Sequence, residues 1–173
     1  MCSGSLAMLP GKHGKTNMRV LVTGSTGYIG SVLMNTLKQH GHDAIGLDAD
    51  WFSDCQLYTA SPHPSICVDL RHLDASHLVG VDAVCHLAGL CNDPLGSIDE
   101  QLTESINVTA TTRLAELSKA AGVKRFIFSS SCSLYGAQDT DQLATEICPL
   151  CPQTAYARAK ATAESNLTAI ADD

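Results

Sequence analysis

Residues 23–30, Thr23-Gly24-Ser25-Thr26-Gly27-Tyr28-Ile29-Gly30, decide the reading of this chain. They follow Arg19 to Thr23 (RVLVT), a short apolar, β-branched run fit for a buried parallel strand. They open a stretch from Tyr28 to about His40 with Ile29, Leu33 and Leu37 on one helical face, closed by Gly41. A chain leaving a buried strand for a helix in so few residues needs glycine. Gly24 permits the tight turn, Gly27 leaves no Cβ where a pyrophosphate would approach, and Gly30 lets the helix pack close to the strand. The spacing is G-x-x-G-x-x-G, and its place between a strand and a helix carries the reading. The competing reading is a glycine-rich connector without a ligand.

Working outward, strand and helix patterns alternate. Ala44–Asp48 is a second strand, and Trp51–Ser65 a loop broken by Pro62 and Pro64. Ile66–Val68 is a short third strand, Asp74 caps a helical turn through Leu78, and Ala83–Ala88 is a fourth strand. Ser97-Ile-Asp-Glu100 has capping-box spacing. The long helix behind it carries Leu102, Ile106, Ala110, Leu114, Leu117 and Ala121 on one face and is closed by Gly122. Arg125–Ser130 is a fifth strand, and a last helix starts near Thr154 or Ala155. The pattern predicts an α/β fold with a doubly wound parallel sheet, a Rossmann fold in strand order 3-2-1-4-5, with the cofactor at the switch between strands 1 and 4.

Composition sets bounds. The 173 residues are 45% hydrophobic and 17% charged, as in a globular domain. A net charge of −7 without a basic cluster speaks against a nucleic-acid partner. No apolar run reaches the ~20 residues of a membrane span. Residues 1–17 lack hydrophobic periodicity and read as a disordered leader rather than a signal peptide, with the fold beginning at Met18 and the binding domain running over 18–173. The eight cysteines are scattered, with Cys67 and Cys85 in strands read as buried. Cys148 and Cys151 have metal or redox spacing, but no second pair accompanies them. They read as loop thiols in a reducing cytoplasm, and no metal site is expected.

Two further features carry chemistry. Asp48 ends the second strand, where a carboxylate accepts hydrogen bonds from the ribose hydroxyls of a dinucleotide. It would repel a 2′-phosphate, and no arginine lies between Arg19 and Arg71, which favours NAD over NADP. The competing reading is a capping or solvated loop aspartate. Tyr156 and Lys160 lie one helical turn apart, on one face. A free tyrosine has a pKa of ~10, and a nearby ammonium lowers it toward use as a base.

The ordered set TGSTGYIG, GLD at 46–48, DL at 69–70, HLAG at 86–89, INVTATTRL at 106–114, AGVKRFIFSSSCSLYG at 121–136 and YARAK at 156–160 resembles the extended short-chain dehydrogenase/reductase family, especially its nucleotide-sugar epimerases and dehydratases. The resemblance runs from Met18 to the end. CNDPLG at 91–96 with SSSCSLYG is similar to a subgroup associated with bacterial surface-polysaccharide sugars.

The resemblance implies roles. Ser131 would bond the reacting sugar oxygen, Tyr156 would be general base and acid, and Lys160 would hold the nicotinamide ribose and lower the tyrosine pKa. Tyr28 and Ile29 would lie by the pyrophosphate of NAD, Asp69 and Leu70 beside the adenine, and Leu87, Ala88 and Gly89 along the cleft. Asn107 would help organise the cofactor site, Ser133 could touch the sugar, and His86 is a packed strand histidine. The family's 4,6-dehydratases commonly carry Thr-Asp-Glu where this chain has Ser131-Cys132-Ser133. That departure favours epimerisation, with reduction or oxidation, or a non-catalytic NAD-binding module, as the other readings. The resemblance further implies a homodimer through helices at 97–121 and 155–171. It also implies a smaller C-terminal domain for the nucleotide sugar, absent here, so the expected fold is cut after the fifth strand and its helix, with no turnover from this chain alone.

Overall fold

A computed structural model of the chain describes residues 17–52, 63–91, 98–137 and 143–171. Most of the expected leader, Pro62, Ser97 and residues 92–96 of the CNDPLG motif lie outside the described residues. The sheet contains β1 (Arg19–Thr23), β2 (Asp43–Asp48), β3 (Ser65–Cys67), β4 (Ala83–His86) and β5 (Arg125–Phe128). All neighbours are parallel and their order is β3-β2-β1-β4-β5, as the alternation of strand and helix predicts.

Side chains alternate across β1, and each face has its own core. Leu21 joins Leu47, Leu73, Leu78, Val84 and Leu114 on one face. Val20 and Val22 join Met34, Ala83 and Cys85 on the other. The second face is covered by α1 (Tyr28–Gln39). Within α1 the buried positions are Gly30, Ser31 and Met34, with Leu33 and Leu37 packed alongside. Ile29 is exposed, contrary to the helical-face expectation, because the first turn of α1 stands over the cleft rather than over the sheet.

The other face is covered by one long helical stretch and a final helix. The stretch begins as α2 (Glu100–Glu104), widens into a π-helical segment (Ser105–Ala110) and continues as α3 (Thr111–Ala120). Its N-cap is Asp99, whose carboxylate accepts from Leu102 N at 2.9 Å. The final helix, α4 (Ala155–Ile170), is capped by Thr154. Gly41 and Gly122 close α1 and α3 at φ +82° and +76°.

β4 and β5 end two residues before their apolar runs do. Leu87 N still donates to Thr23 O at 3.1 Å, but Ala88 N donates to the Thr23 hydroxyl at 3.3 Å, which peels the chain away from the ladder. Cys85 is buried as expected, whereas Cys67 is exposed because β3 is an edge strand. Cys148 Sγ accepts from Thr145 N at 3.3 Å and Cys151 Sγ from Gln153 Nε2 at 3.2 Å, so each thiol engages its own loop. Among the described residues, no helix is long and apolar enough to cross a membrane.

Candidate cofactor cleft

The C-terminal strand ends open onto a cleft of about 470 Å³, within the range of small-molecule and cofactor sites. The phosphate turn forms its floor, with Gly24, Gly27, Tyr28, Ile29 and Gly30 all lining it. Gly24 sits at φ +73°, and a Cβ there would come within 2.8 Å of Ala88 N. A Cβ on Gly30 would overlap the Gly24 carbonyl. Both positions therefore exclude a side chain within the protein itself. Gly27 differs: its Cβ would meet Gly24 O alone, at 3.3 Å, and otherwise project into free space. Gly27 is also the N-cap of α1, without a side-chain cap and with no acidic residue in the first turn. Free N–H groups and the positive end of the helix dipole therefore face the opening, which fits a pyrophosphate.

At one end lie Asp48, Asp69 and Leu70. Asp48 Oδ2 accepts from Thr26 N and Oδ1 from Asp50 N, both at 3.0 Å, so the carboxylate ties β2 to the phosphate turn while still facing the cleft. Asp69 is gripped by Arg71: Nη2 at 2.6 Å, Nε at 3.0 and 3.2 Å, and the backbone N at 2.9 Å. The Arg71 side-chain hydrogen bonds hold the Asp69 carboxyl below the usual carboxylate range. Three Arg71 hydrogens thus engage the carboxylate, the Nε–H shared between its two oxygens, while Asp69 also lines the cleft.

The other end holds Leu87, Ala88 and Gly89 on one wall and Tyr156 and Lys160 on another. Lys160 is 5% exposed, donates to Ser129 O at 2.8 Å and lies 4.3 Å over the Phe128 ring and 5.8 Å over the Tyr156 ring. Burial brings its pKa down to about 8.

Two of the expected residues stand outside the cleft lining. Asn107 does not line the cleft. Its Oδ1 accepts from Leu90 N and its Nδ2 donates to Leu90 O, both at 2.9 Å, so it acts on the site through the 87–91 segment. Ser131 caps the Cys132–Tyr135 turn, with its Oγ 2.6 Å from Ser133 Oγ, and does not line the cleft either. His86 is fully buried between the Thr23 hydroxyl at 2.6 Å and the Thr111 hydroxyl at 2.8 Å. Burial brings its pKa down to about 3, so it is a neutral packing residue, as read from the sequence.

Several lining residues went unread in the sequence. Trp51 and Phe52 stand beside Asp48, and Cys91 follows the Leu87 wall. Ser130 lines the far end, with a buried Oγ that has no hydrogen-bond partner among the described residues. Only the lone tryptophan in a loop directly after Asp48 offered a signal.

A five-stranded doubly wound sheet, with a glycine turn and a cleft at its switch point, defines a nucleotide-binding α/β protein. The chain belongs to the NAD dependent epimerase/dehydratase family, whose model matches residues 20–173. It is similar to the UDP-glucose 4-epimerase of Klebsiella pneumoniae, 35% identical over 136 residues, covering 70% of this chain and 94% of that protein. Among solved structures, MoeE5 in complex with UDP-glucose and NAD superposes with a TM-score of 0.77 at 31% identity, over 88% of this chain and 48% of that one. The dTDP-glucose 4,6-dehydratase DesIV of Streptomyces venezuelae, with NAD and TYD bound, gives 0.75 at 29% identity, over 86% and 50%. Apart from the Klebsiella protein, the chain spans about half the length of the first curated relatives it matches.

Proposed function

We propose that residues 18–173 form the NAD-binding domain of a nucleotide-sugar epimerase. The observation that supports this best is one cleft joining a glycine-cradled helix N-terminus at its floor to Tyr156 and Lys160 on its wall. NAD held there would supply a hydride acceptor and donor for a sugar carbinol carbon, the chemistry by which that centre can be inverted. Gly24, Gly27 and Gly30 with the first turn of α1 hold the pyrophosphate, and Asp48 accepts from the adenosine ribose. Leu87, Ala88 and Gly89 form the wall along the dinucleotide, with Asn107 holding that wall through Leu90.

At the reacting end, Tyr156 takes the proton of the sugar hydroxyl and gives it back when the carbonyl is reduced. The Lys160 ammonium lies on the Tyr156 ring side and favours the phenolate during that exchange. Ser131 hydrogen-bonds the same sugar oxygen after exchanging its bond to Ser133.

Ser131-Cys132-Ser133 supplies no carboxylate for water elimination, which favours epimerisation over dehydration within a family that contains both. The test is the complete enzyme that carries this domain, with NAD and a panel of UDP-, GDP- and dTDP-sugars and products read by NMR. Interconverted epimers are expected. Accumulation of a 4-keto-6-deoxy sugar would overturn the epimerase reading in favour of a dehydratase.

A further inference from the structure

Trp51 is 51% exposed and lines the cleft immediately after the strand that ends in Asp48. A half-exposed indole on a concave wall needs a reason to hold still, and Arg71 provides one. Its guanidinium carbon lies 5.9 Å from the Trp51 ring centroid, within cation–π range. Arg71 is in turn fixed by the bidentate grip of Asp69, and its carbonyl accepts from Arg113 Nη1 at 3.3 Å. The segments after β2 and β3 are thereby joined over one end of the cleft. The guanidinium takes one face of the indole, and a second planar group can take the other.

A dinucleotide with its pyrophosphate at the α1 N-terminus and a ribose at Asp48 puts its adenine at this end. Val68 and Leu70 supply the apolar surface next to it. We propose that Trp51 is an adenine-stacking residue, held in place by the Asp69–Arg71 pair. This inference rests on the NAD-binding reading above. It gives Asp69 a positioning role, through Arg71 and Trp51, in place of direct contact with the base.

The chain has a single tryptophan, so its fluorescence reports on this position alone. The experiment titrates the protein with NAD, ADP-ribose, nicotinamide mononucleotide and UDP, reading Trp51 emission and, in parallel, heat. NAD and ADP-ribose are expected to quench Trp51 saturably, and nicotinamide mononucleotide and UDP to leave it unchanged. Trp51→Ala is expected to lose roughly ten- to hundredfold in NAD affinity, the range of one base–aromatic stack. Arg71→Gln should weaken NAD less and shift the emission of the ligand-free protein.

Calorimetric binding of NAD with silent Trp51 emission and an unimpaired Trp51→Ala variant would overturn the stacking role while leaving the NAD-binding reading intact. Quenching by UDP in place of ADP-ribose would assign the platform to the other nucleotide and overturn the adenine assignment. Absence of any NAD binding by calorimetry would overturn the proposed function and this inference together.

Discussion

Asp48 holds two backbone N–H groups before any ligand arrives, so it is a fixed charge rather than a mobile one. Asp48→Ala should therefore weaken NAD roughly ten- to hundredfold, the worth of a hydrogen bond to a charged group, and narrow the preference over NADP. Calorimetry with both cofactors measures this; an unchanged ratio would remove Asp48 from the ribose. In the complete enzyme Tyr156→Phe should keep NAD affinity and lower turnover by ~10²–10⁴-fold, because the ring keeps its packing while the ionisable hydroxyl is lost. A Phe variant with undiminished turnover would assign the proton to another group. Lys160 carries a pH signature. Its folded pKa of about 8 lies below the ordinary 10.5, so between those values the unfolded chain binds the extra proton. Stability from this group therefore rises with pH over that window and is lowest below about 8. Urea unfolding of wild type and Lys160→Met across pH 7 to 10.5 should show the difference moving in favour of wild type as pH rises, by on the order of 2–3 kcal/mol. These residues were legible in the sequence because each sits at a fixed offset from a strand end or helix turn. Trp51 and Arg71 were not. They are twenty positions apart in the chain and meet only because β2 and β3 are neighbours in the sheet.

The π-helical segment shows what a linear pattern misses at the next scale. Leu102, Ile106, Ala110, Leu114, Leu117 and Ala121 read as an unbroken helical face; Ile106, Ala110 and Leu114 are buried, while Ala121, the C-cap, is exposed. The widened turn at Ser105–Ala110 is invisible in that spacing, because hydrophobic periodicity tolerates one loose turn. What accompanies it is the two-way bond between Asn107 and Leu90, a tertiary contact with no local signature. Asn107→Ala leaves a buried N–H and a buried C=O on Leu90 without partners. We expect a loss of about 2–4 kcal/mol in unfolding free energy, with a measurable drop in NAD affinity because the 87–91 wall loses its anchor. Chemical denaturation and calorimetry read the two effects separately. A variant that loses stability but binds NAD as well as wild type would confine Asn107 to packing. Strand order was legible for the opposite reason: five short β-branched runs separated by helices leave few right-handed parallel arrangements.

For the whole molecule we expect a homodimer through the helices at 97–121 and 155–171. Within the chain the two are already tied by Asn166 to Thr112 at 3.0 Å and by Lys119 to the Ile170 carbonyl at 2.8 Å. Ala115, Ala159 and Ala163 are buried, so their small size serves close packing within one subunit. Light scattering over a range of concentrations tests the dimer, and a monomer at every concentration would count against it. The sheet order also bears on how the chain is made. Among the described strands β1 is made before the other four and lies in the middle of the sheet. Its β2 partner follows at once, but its β4 partner emerges only after about 40 further residues, roughly 2–8 seconds of synthesis. Throughout that interval the nascent half-sheet carries Val20, Leu21 and Val22 on an open hydrogen-bonding edge, the configuration most prone to pairing with a neighbouring chain. Translation speed across residues 49–86 thus sets how long each molecule stays vulnerable, and slow codons in that window would lower yield without changing one amino acid.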